Sequence, residues 1–235
     1  MKTFFPSCFL AFLLGCSGTG QPLTHYEANA EVIVPAPIEL PSGALLTVDT
    51  CAFAFGPLYF CAAQSGSPTL CESALAEITE IHSIDCFDPR PQSLGTVNGL
   101  TGEIRSVSYD YGLHWFLTES KPVADSKAPG GHSLRMTGHL DQNAKRTEFV
   151  ANIDVLPQYQ GQRAVTTAPA RASITEQTSG LSVQFKPGAW IEAADWENLL
   201  EEAGPGPIEI AAEKPGHSAV LLAMVSGAPP LFTWK

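Results

Sequence analysis

Residues 109–115 carry side chains whose types suit ligand binding. Their aromatic rings can stack on a sugar, while Asp110 and His114 offer an oxygen donor and an imidazole that could bind a cation. In a straight strand these two residues share a face but lie about 13 Å apart, too far for one ion unless Gly112 bends the chain. The alternation along this stretch predicts buried aromatic rings, with Asp110 and His114 facing water.

Two further histidines occupy equivalent sequence positions. Gly-His-Ser occurs at residues 131–133 and again at 216–218, each time after a turn and before an apolar stretch. Imidazoles at two equivalent positions could converge on a metal ion, although a small turn followed by serine is also a common start of a strand. The candidate metal-binding or catalytic residues are therefore His114, His132 and His217.

The rest of the chain lacks the motifs of established catalytic classes. There is no nucleophile elbow, no His-Glu-x-x-His and no glycine-rich phosphate loop. The acidic stretch of residues 187–213 contains no Lys or Arg but also no calcium-loop pattern, so it predicts a solvated helix face. The polar segment 157–163, with Tyr159 and Arg163, is a candidate contact loop. We expect no cofactor and no metal, and the missing motifs weaken the case for an enzyme without excluding one.

Composition excludes one large class of partner. The chain has 235 residues with 44% hydrophobic residues, enough to form a core, and a formal charge of −11. Only 13 residues are Lys or Arg, so no basic surface is available to neutralise phosphates. Nucleic acid is therefore not an expected partner.

The N-terminus has the features of an export signal. Lys2 precedes an apolar stretch over residues 4–14, which is too short to span a bilayer as a helix. The sequence Leu13-Leu14-Gly15-Cys16 that follows resembles the lipobox of bacterial lipoproteins. The resemblance implies that residues 1–15 are a signal peptide and that the Cys16 thiol carries a lipid that anchors the chain to a membrane. An ordinary signal peptide cleaved within residues 17–20 is the alternative.

The residue after Cys16 bears on which membrane is expected. In Gram-negative lipoproteins, an aspartate there is associated with the inner membrane, and this chain has Ser17. The resemblance therefore implies the outer membrane. Residues 16–42 contain four prolines and no clear amphipathic period, so we interpret them as a lipidated N-terminus and flexible tether, in which residues 31–34 could pair as an edge strand.

Residues 43–235 are expected to form a single β-rich domain. The predicted class is mainly β, an antiparallel β-sandwich with one or two short peripheral helices. A capping box before residues 73–80 and the aromatic-acidic segment 190–203 predict the helices. Alternating or apolar stretches predict strands at residues 45–55 and 58–63, joined as a hairpin, and at 103–116, 132–140, 147–156, 181–186, 217–225 and 231–234.

Four cysteines remain for the folded body, and an even number in an exported protein implies disulfides. They are Cys51, Cys61, Cys71 and Cys86. We favour Cys61–Cys71 inside Cys51–Cys86, because the segment between the inner pair is a Gly/Ser/Pro loop. A Cys51–Cys61 bond across the predicted hairpin is the alternative. No Cys-x-x-Cys is present, which disfavours zinc or redox chemistry.

These observations favour a membrane-anchored lipoprotein of the cell envelope that acts as a non-catalytic binding or assembly module. Its body has the general character of bacterial surface lipoproteins of unknown function. The expected partner besides the membrane is an envelope protein or a glycan. The alternative is a periplasmic or surface metal-binding or hydrolytic protein that uses His114, His132 or His217.

Overall fold

The computed structural model describes residues 20–63 and 74–235, so the predicted signal peptide, Cys16 and Ser17 lie outside the described residues. Strands dominate the described part. In chain order they are β1 (Leu23–Val32), β2 (Ile38–Glu39), β3 (Leu45–Phe55), β4 (Leu58–Cys61), β5 (Ala74–Ile78), β6 (His82–Asp85), β7 (Gln92–Leu100), β8 (Gly102–Tyr109), β9 (Leu113–His114), β10 (Val123–Ala124), β11 (Leu134–Gln142), β12 (Lys145–Ile153), β13 (Thr166–Ile174), β14 (Gly180–Phe185), β15 (Ile208–Ile210) and β16 (Leu231–Trp234).

Helical segments are few and short. They are a 3₁₀ turn at Pro129–Gly131, α1 (Pro187–Glu192), α2 (Trp196–Glu201), α3 (His217–Leu222) and a π-helical turn at Ala223–Gly227. The described residues contain no helix that is long and apolar enough to cross a membrane.

Two sheets make up the sandwich. One has eight strands in the order β13-β8-β4-β5-β7-β1-β14-β16. The other has six strands: five lie in the order β15-β12-β11-β3-β2, and the sixth, β6, pairs with β3. The predicted mainly β class with short helices is confirmed. Most neighbouring strands are antiparallel, but β1 pairs with β14, and β12 with β15, in parallel.

Aromatic side chains fill the space between the sheets. Phe53 of β3 packs against Phe185 of β14 with ring centroids 4.8 Å apart, and Phe55 lies 5.2 Å from Tyr109 of β8. All four side chains are almost fully buried. Each buried phenylalanine stabilises the fold by about 1.5–3 kcal/mol relative to an exposed one, so this cluster holds the two sheets together.

The predicted tether is wrong over residues 23–32. These residues form β1, which lies between β7 and β14 in the eight-stranded sheet. Every second side chain from Thr24 to Val32 is buried, which is the period of a half-buried strand. Most of the inward residues are alanine or threonine, so the pattern is weak in hydrophobicity, and the nearby prolines flank the strand without interrupting it. The ordered domain therefore begins near Leu23 and not at residue 43.

Two predictions near Gly56 are also wrong. β3 and β4 follow each other at the cis Gly56–Pro57 peptide, but they belong to different sheets and do not form a hairpin.

The helix predicted at residues 73–80 is the second of these errors. Residues 74–78 form β5 and no helix, because the buried Ala76 and Ile78 alternate with more exposed residues and the strand pairs with both β4 and β7. Pairing with two neighbours overrides the helix propensity of this segment.

The prediction of a strand at residues 217–225 is wrong, because these residues are helical. They form α3 and most of the π-helical turn, with Val220, Ala223 and Met224 buried at helical spacing. The helix predicted at 190–203 is split into α1 and α2, since the Asp195 carboxylate accepts a hydrogen bond from the Asn198 backbone N–H and starts a new helix. The strands predicted at 132–140, 147–156, 181–186 and 231–234 are confirmed as β11, β12, β14 and β16.

The outer disulfide joins Cys51 of β3 to Cys86, which follows β6, as predicted. The alternative Cys51–Cys61 pairing is therefore wrong. Cys61 is disulfide-bonded as well, and its predicted partner Cys71 lies outside the described residues.

Candidate functional site

A cleft of about 590 Å³ lies at the end of the eight-stranded sheet where β8 ends and β4 begins. Its volume is typical of a small-molecule site. The walls are mostly aromatic or apolar and carry a few polar groups. The residues that matter for binding are Tyr59, His114, Trp115, Phe116, Leu117 and Arg163.

A glycine turn brings the two titratable residues of segment 109–115 together. Gly112 has a φ of +76°, and a Cβ added there would lie 2.5 Å from the Ala54 Cβ, so only glycine fits. The turn places His114 Nδ1 3.5 Å from Asp110 Oδ2. The bend that would be needed to join these side chains is therefore present, and His114 lines the cleft with its side chain 13% exposed.

The prediction that Asp110 faces water is wrong, because its side chain is 0% exposed. Among the described residues neither carboxylate oxygen has a hydrogen-bond partner with good geometry, although His114 lies at ion-pair distance and the Val165 backbone N–H is nearby. Burial raises the pKa of Asp110 to about 6, and His114 and the Val165 backbone N–H offset part of this rise. A buried carboxyl group behind a cleft is a common feature of functional sites.

The mouth of the cleft is formed by two loops, residues 115–119 and the loop that contains Gln160, which are joined by hydrogen bonds. The Trp115 indole N–H donates to the Glu119 carbonyl oxygen at 3.0 Å. The Gln160 side-chain amide donates to the carbonyl oxygens of Leu117 and Glu119, each at 2.8 Å. Phe116 and Leu117 remain 56% and 78% exposed on this braced rim. Exposed apolar side chains held in a fixed position are typical of a binding surface.

Arg163 and Tyr59 supply polar groups to the same cleft. Burial raises the pKa of the Tyr59 hydroxyl, the positive charge of Arg163 lowers it in part, and both side chains line the cleft. Arg163 makes no hydrogen bond or ion pair with any residue in the described part of the chain. Its guanidinium is thus available to an acidic or hydroxyl group of a ligand. The sequence indicated Arg163 as a contact residue but gave no signal for Tyr59, which is an ordinary outward residue of β4.

The other candidate histidines belong to a different group of side chains. His132 Nδ1 lies 2.9 Å from Asp154 Oδ1. Burial lowers the pKa of His217, and the charge of Asp154 raises it in part. Across residues 20–63 and 74–235, however, no group of three or more His, Cys, Asp or Glu side chains is arranged to hold a metal ion. The described structure therefore does not bring His114, His132 and His217 around one ion.

Comparison with known proteins finds little similarity. No protein-family model matches the chain, and no curated protein matches it. A solved structure, MbnP from Methylosinus trichosporium, is similar with 9% sequence identity and a TM-score of 0.37, and the match covers 86% of this chain and 87% of that chain. A likeness this distant indicates nothing about ligand or activity.

Proposed function

We propose that this chain is a lipid-anchored, non-catalytic binding protein of the bacterial outer membrane, and that its cleft holds a glycan. The observation that carries the proposal is the cleft itself, in which aromatic walls stand beside hydrogen-bonding side chains on a braced rim. Tyr59, Trp115 and Phe116 offer flat surfaces for the apolar face of a sugar ring. His114 and Arg163 offer polar groups for its hydroxyl or acidic substituents.

The volume of the cleft favours a small sugar over a protein surface, and Arg163 favours an acidic substituent on it, although the carboxylate of Asp125 lines the same cleft. A protein partner buries about 800 Å² on each side, which is more than one cleft of this size provides. Arg163 has no ion-pair partner among the described residues, so a carboxylate on the ligand would complete its charge pairing. The disaccharide of N-acetylglucosamine and N-acetylmuramic acid, a building block of the bacterial cell wall, combines these features.

The lipid anchor is tested by metabolic labelling with palmitate. We expect the wild-type chain to incorporate the label and the Cys16→Ala variant to incorporate none, because the thiol is the acceptor site. The matched control is Cys8→Ala, which removes a cysteine from the predicted signal peptide and should leave labelling unchanged. Equal labelling of Cys16→Ala and wild type would contradict the anchor.

The ligand is tested by calorimetric titration of the purified protein with the same disaccharide. A charged hydrogen bond contributes about 1.5–3 kcal/mol, so we expect Arg163→Ala to weaken binding by roughly tenfold or more. Binding of neutral N,N′-diacetylchitobiose should change little in this variant, whereas Trp115→Ala should weaken binding of both sugars.

Arg171→Ala is the matched control for this titration, since Arg171 is an exposed arginine of the edge strand β13. It should bind both sugars as the wild type does. If the wild-type protein binds neither sugar, or if Arg171→Ala and Arg163→Ala lose the same affinity, the proposed ligand is wrong.

A further inference from the structure

The described chain joins the sheet at the end that is farthest from the cleft. Leu23, the first residue of β1, pairs with Leu100 at the end of β7. The Pro22 carbonyl oxygen accepts a hydrogen bond from the Thr101 N–H at 2.9 Å. Gly102, the next residue, begins β8. The N-terminal segment therefore meets the domain where β7 passes into β8.

The cleft lies at the other end of β8. This strand runs from Gly102 to Tyr109, and Asp110 and the cleft loops follow directly. The neighbouring strand β4 confirms the direction, because Leu58 beside the cleft pairs with Tyr109, and Cys61 pairs with Ser106. Eight residues in a strand span about 25 Å, so roughly this distance separates the cleft from the point where the chain joins the sheet.

The segment from Cys16 to Pro22, which we call the leash, is shorter than the distance between the cleft and the point where the chain joins the sheet. Six residue steps separate Cys16 from Pro22, and even a fully extended chain covers only about 20 Å over them. For the cleft to face the bilayer, Pro22 would have to stand at least about 25 Å above the lipid surface, beyond the reach of the leash. The negative charge of the chain adds repulsion from anionic lipid.

We infer that the cleft opens away from the membrane to which the chain is anchored, and that it takes a water-borne ligand or one carried on a structure facing that membrane. This inference rests on the lipid anchor of the proposed function. It specifies the source of the ligand, because a leash of this length keeps the cleft from facing the lipids of the anchoring membrane. A glycan in the aqueous space beyond the protein can enter the cleft in this orientation.

The orientation is tested by energy transfer from the protein to a membrane dye. Thr118→Cys places a thiol on the cleft rim, and Gln177→Cys places one in the exposed turn after β13, whose Ile174 pairs with Gly102 at the opposite end. Each full-length lipidated variant is labelled with a thiol-reactive donor and reconstituted in vesicles that contain a headgroup acceptor dye. We expect the Gln177 label to lie about 20 Å closer to the membrane than the Thr118 label.

Controls separate the failure of this inference from the failure of the proposed function. Lengthening the leash with about 20 Gly/Ser residues after Gly20 should shrink the difference between the two labels, since the domain can then turn over. If Thr118→Cys does not fold, Leu117→Cys is the replacement. Equal or stronger transfer from the rim label in vesicle-bound protein overturns the orientation. Absence of palmitate on the chain overturns the anchor, and absence of sugar binding overturns the ligand.

Discussion

Replacing Asp110 by asparagine is expected to raise the free energy of unfolding by about 3 kcal/mol at pH 7–8. The carboxyl group is fully buried, and neither oxygen has a hydrogen bond of good geometry with any described residue, so its ionised form is poorly solvated. Burial raises its pKa to about 6, well above the ordinary value of 3.8. Asparagine has nearly the same shape and carries no charge, so the variant avoids this penalty.

The pH dependence follows from the direction of the shift. Between about pH 4 and pH 6 the folded protein keeps a proton on Asp110 that the unfolded chain releases, so the stability of the wild type falls as the pH rises through this window. The variant lacks this loss. Urea unfolding at intervals from pH 3.5 to pH 8 should show similar stabilities below pH 4, with the two proteins separating as the pH approaches 6.

Glu103→Gln is the matched control, because it neutralises an exposed carboxylate of β8, the strand that directly precedes Asp110. Its effect should stay within about 0.5 kcal/mol at every pH. If Asp110→Asn destabilises the protein equally at all pH values, the carboxyl group is instead an essential part of the packing. The Asp110 carboxyl group lowers stability and lies behind the cleft. Groups that lower stability in this way are often kept because a functional site needs them.

The sequence identified His114, Trp115 and Arg163 as candidate contact residues, but it identified neither Tyr59, Phe116 and Leu117 nor the arrangement of the cleft. Alternation correctly predicted that Tyr109 and Tyr111 are buried, and it wrongly placed Asp110 in water. Alternation describes a straight strand, whereas the strand ends at Tyr109 and the chain turns at Gly112. The bend was recognised as a condition for pairing Asp110 with His114, but only the fit of Gly112 against Ala54 shows that it is met.

The missed elements share a physical cause. β1 and β5 contain several alanine and glutamate residues, whose local preferences do not favour a strand, and both become strands because they have neighbours on two sides. The apolar segment that forms α3 fits a buried strand or a buried helix equally well by hydrophobicity. Long-range pairing decides the first two cases, and the buried helical face of Val220 decides the third. By contrast, β11 and β12 are neighbours along the chain and pair locally, and their own patterns predict both strands.

Removing the Cys51–Cys86 disulfide with paired alanine substitutions should lower the free energy of unfolding by about 4 kcal/mol. The bond joins residues 35 positions apart, and the enclosed chain leaves the six-stranded sheet, contributes β4 and β5 to the eight-stranded sheet and returns as β6. Without the bond, the unfolded chain gains the freedom to separate these ends. Both cysteines are replaced together, because a single substitution leaves a thiol that can exchange with the disulfide of Cys61.

Urea unfolding distinguishes the cross-link from ordinary packing. Because the variant unfolds to a more open chain, its dependence on urea concentration should become steeper as well as shifted. The matched control removes a non-covalent tie beside the disulfide, the 2.6 Å contact between the hydroxyls of Thr50 and Thr137. Replacing both threonines by alanine should cost no more than about 1 kcal/mol and leave the slope unchanged. If the two double variants lose the same free energy of unfolding, the disulfide stabilises the fold only through local contacts. The covalent link between Cys51 and Cys86 would then contribute nothing beyond those contacts.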